Sequence, residues 1–505
     1  MLTKSDFIRY LQCYKYLWLY KNRKDLIPPE YEERFAQIFG EGFKVEDYAY
    51  KLFPNGQDAY DEDFKTAISK SKDLISKKTL VIFQPTISGR ELFSRADIIK
   101  YNPKKDCWDI YEIKGSVSVK DLYIADLAFQ KVCLETNGLK LGKLFIIHVN
   151  KAFVKKGEIK PEKFLTIAEI TQEVDDLVKE TRKQIKEALL VLQKAQEPQI
   201  RILKQCSDPY ECMFTDYCWK DVPANSIYNL AGRLSEEKLE HLLDEGIISI
   251  KDIPEGFLKS QRAILHHQAV KHNIVHLEKE EIKKDLAKLQ YPLYFLDYET
   301  YGFSAAVPLF DGYHPYQNMP FQYSVHVLPK PKAKLQHYEF LADKYADPAL
   351  DLAKALSKII KSKGNVIAWN ASFEMGCNEE MGKRYPKYKK FFQSVNKRMY
   401  DLMMIFRNGY YVHKDFQGSA SLKKVLPVLV PKLSYQKLNI HEGGTASDSW
   451  REMIEPISPN LVDKHALSQA EGEKGQIYND LLKYCELDTL AMVEILKALE
   501  KVILG

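Results

Sequence analysis

Residues 92–114 read LFSRADIIKYNPKKDCWDIYEIK, two runs rich in apolar and β-branched residues around the turn-forming sequence NPKKD. This pattern predicts two strands joined as a β-hairpin. Side chains two positions apart in a strand project from one face, so Glu112 and Lys114 lie side by side. If the two strands are neighbours, Asp97 supplies a second carboxylate at the same place. The segment therefore predicts an acid–acid–lysine group on a sheet.

This group suits the hydrolysis of phosphodiester bonds. The reaction needs one or two divalent cations that activate water and neutralise the phosphate, and such cations take carboxylate oxygens. We expect Asp97 and Glu112 to bind Mg²⁺ or Mn²⁺ and Lys114 to hold the attacking water or the scissile phosphate. A solvated edge strand is the usual alternative for so short a motif.

Four cysteines bracket the hairpin. Cys13, expected inside the first helix, stands near the start, whereas Cys206, Cys212 and Cys218 fall within thirteen residues. A single cysteine is most often a buried apolar thiol, but three in so short a polar stretch are hard to accommodate in a core. Thiolate coordination by zinc or by an iron–sulfur cluster is the interpretation that we favour.

Two further residues complete a family resemblance. Glu46 ends the stretch GFKVE at 42–46, on a predicted helix, and Gln130 lies on the helix after the Glu-x-Lys strand. With them, residues 1–220 resemble the RecB-like nucleases with a PD-(D/E)xK core. They also resemble the iron–sulfur subset that includes the CRISPR adaptation nucleases and AddB-type helicase-nucleases, in which four cysteines bracket the nuclease.

The resemblance implies a restriction-endonuclease-like core, a catalytic role for the acid–acid–lysine group, and a cluster of the 4Fe-4S kind held by the four cysteines. It also implies that Glu46 is a further metal ligand and that Gln130 contacts the substrate. That family has two residues between the second and third cysteines, whereas here Cys206 and Cys212 are separated by five. The type of cluster is therefore left open.

A second set of acids lies in the C-terminal half. The apolar run LYFLDYET at 293–300 predicts a strand with Asp297 and Glu299 on one face, an arrangement that can hold two divalent ions about 4 Å apart. Glu374 lies just past a later predicted strand, at 365–369. A final helix is predicted from about 476 to 503, and it places Tyr484 and Asp488 one turn apart.

The order Asp-x-Glu, Asn-x2-Phe-acid, Tyr-x3-Asp resembles the DEDD superfamily of 3′ to 5′ exonucleases, tyrosine subtype. The resemblance implies a ribonuclease H-like fold, four metal ligands and a tyrosine that orients the attacking water. The implied catalytic residues are the ligands Asp297, Glu299, Glu374 and Asp488, and Tyr484. The family has Asp where Glu374 stands, which would alter the metal geometry there.

Two other segments bear on the second half. Residues 383–392, KRYPKYKKFF, mix cations with rings, which suits a single-stranded nucleic acid. The predicted substrate contacts are Lys383, Arg384, Tyr385 and Lys387, and a solvated charged face is the alternative. The stretches at 418–427 and 441–444 are similar to bacterial proteins in which an exonuclease-like domain classed as of unknown function follows an iron–sulfur RecB-like one.

The chain of 505 residues is too long for one hydrophobic core. We predict an α/β protein with a nuclease domain at 1–220, a helical linker at 221–290 and a ribonuclease H-like domain with a mixed sheet at 291–505. The net charge of +5 is a weak bias, while 31 tyrosines favour base stacking. Without a signal peptide or a long apolar run, we expect a cytoplasmic protein with reduced thiols and no membrane partner.

These patterns predict a metal-dependent nuclease with two sites, acting on DNA that is single-stranded or has free ends, in repair, recombination or defence. A helicase or a repair or defence protein is the expected partner. RNA remains an alternative substrate because DEDD-like sites cut either polymer. A nucleic-acid-binding scaffold with one or both sites inactive is the competing interpretation.

Overall fold

The computed structural model describes residues 1–29, 31, 42, 44–456 and 464–504, except for the side chains of 464–468. Phe43 of the GFKVE stretch thus lies outside the described residues. The chain is of the α/β class, as predicted, with helices packed on mixed sheets. It divides into two compact units, one of Met1–Asp221 with Ser304–Gln317 and one of Val222–Phe303 with Asn318–Gly505.

The first unit contains a mixed sheet and a small second sheet, both flanked by helices. Its strands are β1 (Leu2–Thr3), β2 (Gln57–Asp58), β3 (Val81–Phe83), β4 (Thr86–Gly89), β5 (Leu92–Arg95), β6 (Ile98–Asn102), β7 (Cys107–Lys114), β8 (Leu141–Val149) and β9 (Leu165–Glu169). Its helices are α1 (Lys4–Gln12), α2 (Tyr14–Asn22), α3 (44–50), α4 (Phe64–Ser76), α5 (Asp121–Thr136), α6 (Pro161–Phe164), α7 (Thr171–Leu192) and α8 (Thr215–Trp219).

Among the described residues, the larger sheet has the strand order β2-β3-β6-β7-β8-β9 and the smaller one the order β1-β5-β4. The predicted hairpin is confirmed, since β6 and β7 pair antiparallel across the NPKKD turn. The run at 92–99, which we expected to form one strand, is instead two. Strand β5 pairs with β1 and β4, whereas β6 joins the larger sheet, and Asp97 lies at the break.

Cys13 does not lie inside a helix as we expected. Its backbone is extended, with φ −166° and ψ 119°, and it separates α1 from α2. The Cys13 thiol accepts a hydrogen bond of 3.3 Å from the backbone N–H of Tyr16 and so caps α2. The break turns the sulfur out of the regular helix side-chain pattern, toward the segment that carries the other three cysteines.

Segment Ser304–Gln317 belongs to the first unit although it follows in sequence a strand of the second. The Lys155 N–H donates to the Tyr313 carbonyl at 3.1 Å, and the Gly312 N–H donates to the Lys155 carbonyl at 2.7 Å. Ala306, 1% exposed, packs in a hydrophobic cluster with Val149 and Phe164. The segment thus completes a part of the first unit's core.

In its described residues, the second unit forms a five-stranded mixed sheet with helices on its faces and a separate two-stranded sheet. Its strands are β10 (His276–Leu277), β11 (Leu293–Tyr301), β12 (Met319–Leu328), β13 (Gln336–Leu341), β14 (Val366–Ala368), β15 (Met399–Asp401) and β16 (Tyr411–Val412). Its helices are α9 (Glu236–Asp244), α10 (Gln261–His272), α11 (Lys279–Leu286), α12 (Ala349–Ile359), α13 (Ser372–Arg384), α14 (Lys389–Lys397), α15 (Met404–Arg407), α16 (Leu422–Leu429), α17 (Gly443–Ile454) and α18 (Lys464–Leu504).

Strand β11 lies at the centre of the five-stranded sheet, whose order is β13-β12-β11-β14-β15, while β10 and β16 form the two-stranded sheet. Strand β11 pairs antiparallel with β12 and parallel with β14. Side chains on both of its faces are buried, which explains its continuous apolar run. Helix α18 packs on β11 and β12 and begins earlier than the predicted residue 476. Within the described part of the chain, no helix is both long and apolar enough to span a bilayer.

Candidate functional site

A cavity of about 430 Å³ in the first unit gathers most of the residues predicted for its site. Asp97 and Glu112 line it, together with Lys114 from the end of β7. The sequence did not single out Lys4 and Asp126, which also line it. Asp126 could have been found, because it precedes Gln130 by one turn on α5 and shares its face.

The charged groups of this cavity form one connected network. Lys114 Nζ lies 2.8 Å from Glu112 Oε1 and 2.6 Å from Asp126 Oδ2. Lys4 Nζ lies 2.7 Å from the same Glu112 oxygen and 3.9 Å from Asp97 Oδ1. Asp97 is held from the other side, since its Oδ2 accepts the Ile113 N–H at 2.6 Å. Asp97 and Glu112 therefore share the ammonium of Lys4, which comes from the N-terminal helix.

Opposite pKa shifts distinguish the two carboxylates. Burial and the neighbouring Glu112 raise the pKa of Asp97 to about 7, against the effect of both lysines. Burial alone would also raise the pKa of Glu112, but Lys114 and Lys4, with a hydrogen bond from Gln130, lower it to about 2. Glu112 is thus a carboxylate, 1% exposed, that is held ionised by its neighbours.

Glu46 lines the same cavity and Gln130 lies behind it. The Glu46 carboxylate accepts short hydrogen bonds from the Tyr50 hydroxyl and the Gln84 amide. Gln130 is fully buried, and its amide donates to Glu112 at 2.8 Å and to Asp126 at 3.0 Å. The amide predicted to contact a substrate is therefore engaged in positioning the two carboxylates.

The four predicted cysteine ligands line a second, much smaller cavity of the first unit. The lining thiols are those of Cys13, Cys206, Cys212 and Cys218. The N-terminal helices are tied to this part of the chain, because Gln12 donates its amide to the Gln205 carbonyl at 2.8 Å and to the Tyr210 carbonyl at 2.6 Å. Two segments about 190 residues apart thus bring their sulfur atoms together.

The four thiols are not spaced as a preformed tetrahedral zinc site. Burial raises the pKa of Cys13 to about 11 and that of Cys212 to about 12, with repulsion from the other thiolates as a further cause. A bound metal would lower these pKa values, because metals bind cysteine as the thiolate. At a Zn–S distance near 2.3 Å, tetrahedral thiolates lie about 3.8 Å apart. Among the described residues, no three of these thiols form a group within 4.8 Å.

In the second unit, the predicted acids come from three elements around the end of β11. One ligand atom each of Asp297, Glu299 and Cys485 lies within 4.8 Å of the others. Asp297 and Glu299 come from β11, Glu374 from the first turn of α13, and Asp488 from α18. Glu299, Glu374 and Asp488 are between 2% and 9% exposed.

Repulsion within this carboxylate cluster is strong. Burial and the charge of Asp488 raise the pKa of Asp297 well above its ordinary range, with further contributions from Glu299 and Glu374. Burial raises the pKa of Glu374 to about 8 and that of Asp488 to about 6. The buried Oε2 of Glu374 accepts no hydrogen bond within the described structure. A buried carboxylate oxygen without a donor is costly unless a cation binds it.

A tyrosine and a lysine that the sequence did not single out adjoin the cluster. The Tyr435 hydroxyl donates a hydrogen bond of 2.5 Å to Asp488 Oδ1, and its ring lies 6.2 Å from that of Tyr484. Lys423 lowers the pKa of Glu299 and Asp488 against the effect of burial. Tyr435 lies 53 residues before Asp488 in sequence, and Lys423 lies further away still. Neither stands at a regular spacing from the predicted acids, so the sequence pattern did not indicate them.

Comparisons with known proteins give one family match and one relative. Residues 294–421 match the family described as Domain of unknown function (DUF2779), a stretch that holds Asp297, Glu299 and Glu374. Over 240 residues, 44% of this chain, the sequence is 25% identical to Uncharacterized protein MG366 of Mycoplasma genitalium. The matched stretch spans about a third, 34%, of that relative's length.

The predicted substrate contacts at 383–387 lie at the opposite end of α13 from Glu374. Lys383 follows Glu374 by nine residues, about 14 Å along a helix. Lys383 pairs with Glu380 at 2.7 Å, and Arg384 pairs with Asp347 at 2.6 Å. Tyr385 donates its hydroxyl to the same Asp347 oxygen, and Lys387 lies over the ring of its neighbour Tyr388. The structure does not bring this patch to the carboxylates.

Proposed function

We propose that the chain is a metal-dependent nuclease that hydrolyses phosphodiester bonds in DNA, with single-stranded DNA as the favoured substrate. The observation that carries the proposal is the carboxylate cluster Asp297, Glu299, Glu374 and Asp488. Buried carboxylates with raised pKa values and an unsatisfied oxygen are unfavourable on their own. Mg²⁺ or Mn²⁺ would offset their repulsion, and bound in this way would supply activated water and neutralise the phosphate.

Within this proposal, the protein side chains around the cluster have separate roles. Asp297, Glu299, Glu374 and Asp488 hold the ions, and Tyr435 fixes the orientation of Asp488 by its hydroxyl. Tyr484, one turn before Asp488 on α18, orients the attacking water. Its pKa is raised by burial and by Asp488, so it remains a neutral hydroxyl that can donate a hydrogen bond.

The cavity of the first unit is proposed as a second, RecB-like site. Asp97, Glu112 and Glu46 are its metal ligands, and Lys114 is the cation that meets the phosphate. Gln130 and Asp126 position Glu112 and Lys114 from behind. The four thiols hold an iron–sulfur cluster next to this cavity. Tyr210 and Glu211, between two of the cysteines, line the cavity, so the cluster would fix the shape of its rim.

The test is an end-labelled single-stranded DNA incubated with anaerobically purified protein and Mn²⁺. A variant with Glu112→Ala and Lys114→Ala and a variant with Asp297→Ala and Glu299→Ala are assayed beside it. Each variant is expected to lose one class of product while keeping the other. The same assay on single-stranded RNA decides the polymer. An intact substrate with the unmodified protein on both polymers would reject the proposal.

A specific observation favours a second candidate, a nucleic-acid-binding scaffold without cleavage in the first unit. The Lys4 ammonium lies 2.7 Å from Glu112 and 3.9 Å from Asp97, where it neutralises the two carboxylates in place of a metal ion. Two results together would establish this interpretation for the first unit. The variant with Glu112→Ala and Lys114→Ala would bind labelled DNA as the unmodified protein does, and no cleavage product would be assigned to this site.

A further inference from the structure

Two histidines and a glutamate in the second unit come together outside the carboxylate cluster. His326 on β12 is the cross-strand partner of His337 on β13, and their rings stack with centroids 4.4 Å apart. Glu486 reaches them from α18, and one ligand atom of each of the three residues lies within 4.8 Å of the others. Glu486 is two residues from both Tyr484 and Asp488, so it projects from a different side of α18 than the catalytic pair.

The hydroxyl network behind the two rings fixes their protons. Thr489 donates its hydroxyl hydrogen to the Glu486 carbonyl at 3.1 Å, so the 2.7 Å contact between Ser324 and Thr489 is donated by Ser324. With both hydroxyl hydrogens engaged, the oxygens can only accept from the imidazoles. His326 Nδ1–H therefore donates to Thr489 at 2.8 Å, and His337 Nε2–H donates to Ser324 at 2.9 Å.

In the neutral form of each ring, this assignment leaves the lone pair on Nε2 of His326 and on Nδ1 of His337. A neutral imidazole held through one nitrogen and free at the other is the usual form of a histidine metal ligand. Burial lowers the pKa of His326 to about 4, which keeps that ring neutral at pH 7.

The spacing of the groups suits a small ion. His337 Nδ1 lies 3.7 Å from Glu486 Oε1, too far for a good hydrogen bond. Ligands about 2.1 Å from a tetrahedral Zn²⁺ lie about 3.4 Å apart, so a small side-chain shift closes the site. The mixture of two imidazoles and one carboxylate favours zinc-class ions over Mg²⁺, which prefers oxygen ligands alone.

We propose that His326, His337 and Glu486 bind a zinc-class transition-metal ion that fastens α18 to β12 and β13. Ser324 and Thr489 hold the two imidazoles in place for this ion. This ion is separate from the catalytic ions proposed for the carboxylate cluster. Because α18 also carries Tyr484 and Asp488, the ion sets the position of the helix that completes that cluster. The site does not depend on whether the chain cleaves nucleic acid.

The test measures zinc content in the full-length chain. The unmodified protein is compared with the variants His337→Gln, Glu486→Gln and His272→Gln. Each protein is freed of metal with a chelator and dialysed against Zn²⁺, and its zinc content is measured by inductively coupled plasma mass spectrometry. His272, exposed on α10, is the matched control. The thiols and the carboxylate cluster can also take zinc, so the difference between variants is the quantity that counts. We expect His337→Gln and Glu486→Gln each to bind one zinc fewer than the unmodified protein and His272→Gln to bind the same number.

A thermal readout accompanies the metal count. Zn²⁺ is expected to raise the unfolding midpoint of the unmodified protein and of His272→Gln more than that of the two ligand variants. Ser324→Ala keeps all three ligands but loses the acceptor for His337, and we expect it to bind zinc about 10- to 100-fold more weakly. Equal zinc content in His337→Gln, Glu486→Gln and the unmodified protein would overturn the proposal. Since Glu486 is 46% exposed, Glu486→Gln keeps the test valid if His337→Gln misfolds.

Discussion

The ammonium group of Lys4 lies 2.7 Å from Glu112 Oε1, although 108 residues separate the two in sequence. The Glu112 carboxylate is 1% exposed, and Lys4 Nζ is also 3.9 Å from Asp97. The N-terminal helix therefore contributes a cation to the cavity that holds the proposed metal ligands of the first unit. Lys4 and the proposed metal ion would compete for the same negative charge.

Lys4→Met is expected to destabilise the metal-free protein and to strengthen Mn²⁺ binding. Removing one partner of a buried ion pair costs up to about 3–5 kcal/mol, and Lys114 still offsets part of this for Glu112. Differential scanning fluorimetry with and without Mn²⁺ measures both effects. Lys65→Met, at an exposed site on α4, is the control. An unchanged Mn²⁺ response in Lys4→Met would show that the lysine does not compete with the metal.

Asp297→Asn should stabilise the metal-free protein in a pH-dependent way. The folded-state pKa of Asp297 is raised by burial and by Asp488, so the unfolded chain ionises first as pH rises above about 4. The aspartate therefore costs stability increasingly from that pH toward the folded pKa. We expect the midpoint of Asp297→Asn to exceed that of the unmodified protein more at pH 8 than at pH 5, with about 2–4 °C for each kcal/mol.

Mn²⁺ is expected to change the difference in unfolding midpoint between the two proteins in the opposite direction. It should raise the midpoint of the unmodified protein and have less effect on Asp297→Asn, because the variant has lost a ligand. Equal pH profiles for the two proteins in chelator would contradict the strong repulsion described for the cluster.

Tyr435→Phe and Tyr484→Phe separate a positioning residue from a catalytic one. Tyr435→Phe removes the 2.5 Å hydrogen bond to Asp488, and we expect Mn²⁺ affinity to fall about 10- to 100-fold, the usual cost of losing such a partner. Tyr484→Phe should leave Mn²⁺ affinity unchanged and slow cleavage at saturating metal. Calorimetric titration and single-turnover cleavage distinguish the two. Identical losses in both assays for both variants would refute separate roles.

Cys212→Ser is expected to lower the stability of the first unit and to remove iron and visible absorbance from anaerobically purified protein. Cys212 is 7% exposed and lines one cavity with the other three cysteines, so loss of its sulfur would remove one ligand of the proposed cluster. Cys107→Ser replaces another buried thiol outside the group and should keep the iron. A brown and equally stable Cys212→Ser protein would count against the cluster.

A fragment of residues 1–221 should be less stable than the same fragment with 304–317 joined to it by a flexible linker. The segment supplies Ala306 to a buried cluster and two backbone hydrogen bonds to Lys155, which contribute about 0.5–1.5 kcal/mol each. Thermal unfolding of the two fragments measures the difference. Equal midpoints would show that the segment adds nothing to the core.

The sequence predicts elements whose pattern is local. The β6–β7 hairpin followed from NPKKD between two apolar runs, and β11 followed from LYFLDYET. It did not predict the break at Asp97, because which sheet a strand joins depends on partners such as β1, 90 residues away. Lys4, Tyr435 and Lys423 were missed for the same reason. Their approach to the carboxylates is set by tertiary packing and leaves no regular spacing.

Segment Ser304–Gln317 folds with the first unit but is encoded after the strand that begins the central sheet of the second. A single recombination event near residue 221 would therefore transfer the first unit without residues 304–317. Those residues would stay with the second unit, without the surface on which they pack. The two units are therefore expected to be inherited as one gene block. Homologues that carry the 294–421 region without residues 1–221 are expected to have lost or altered the segment equivalent to 304–317.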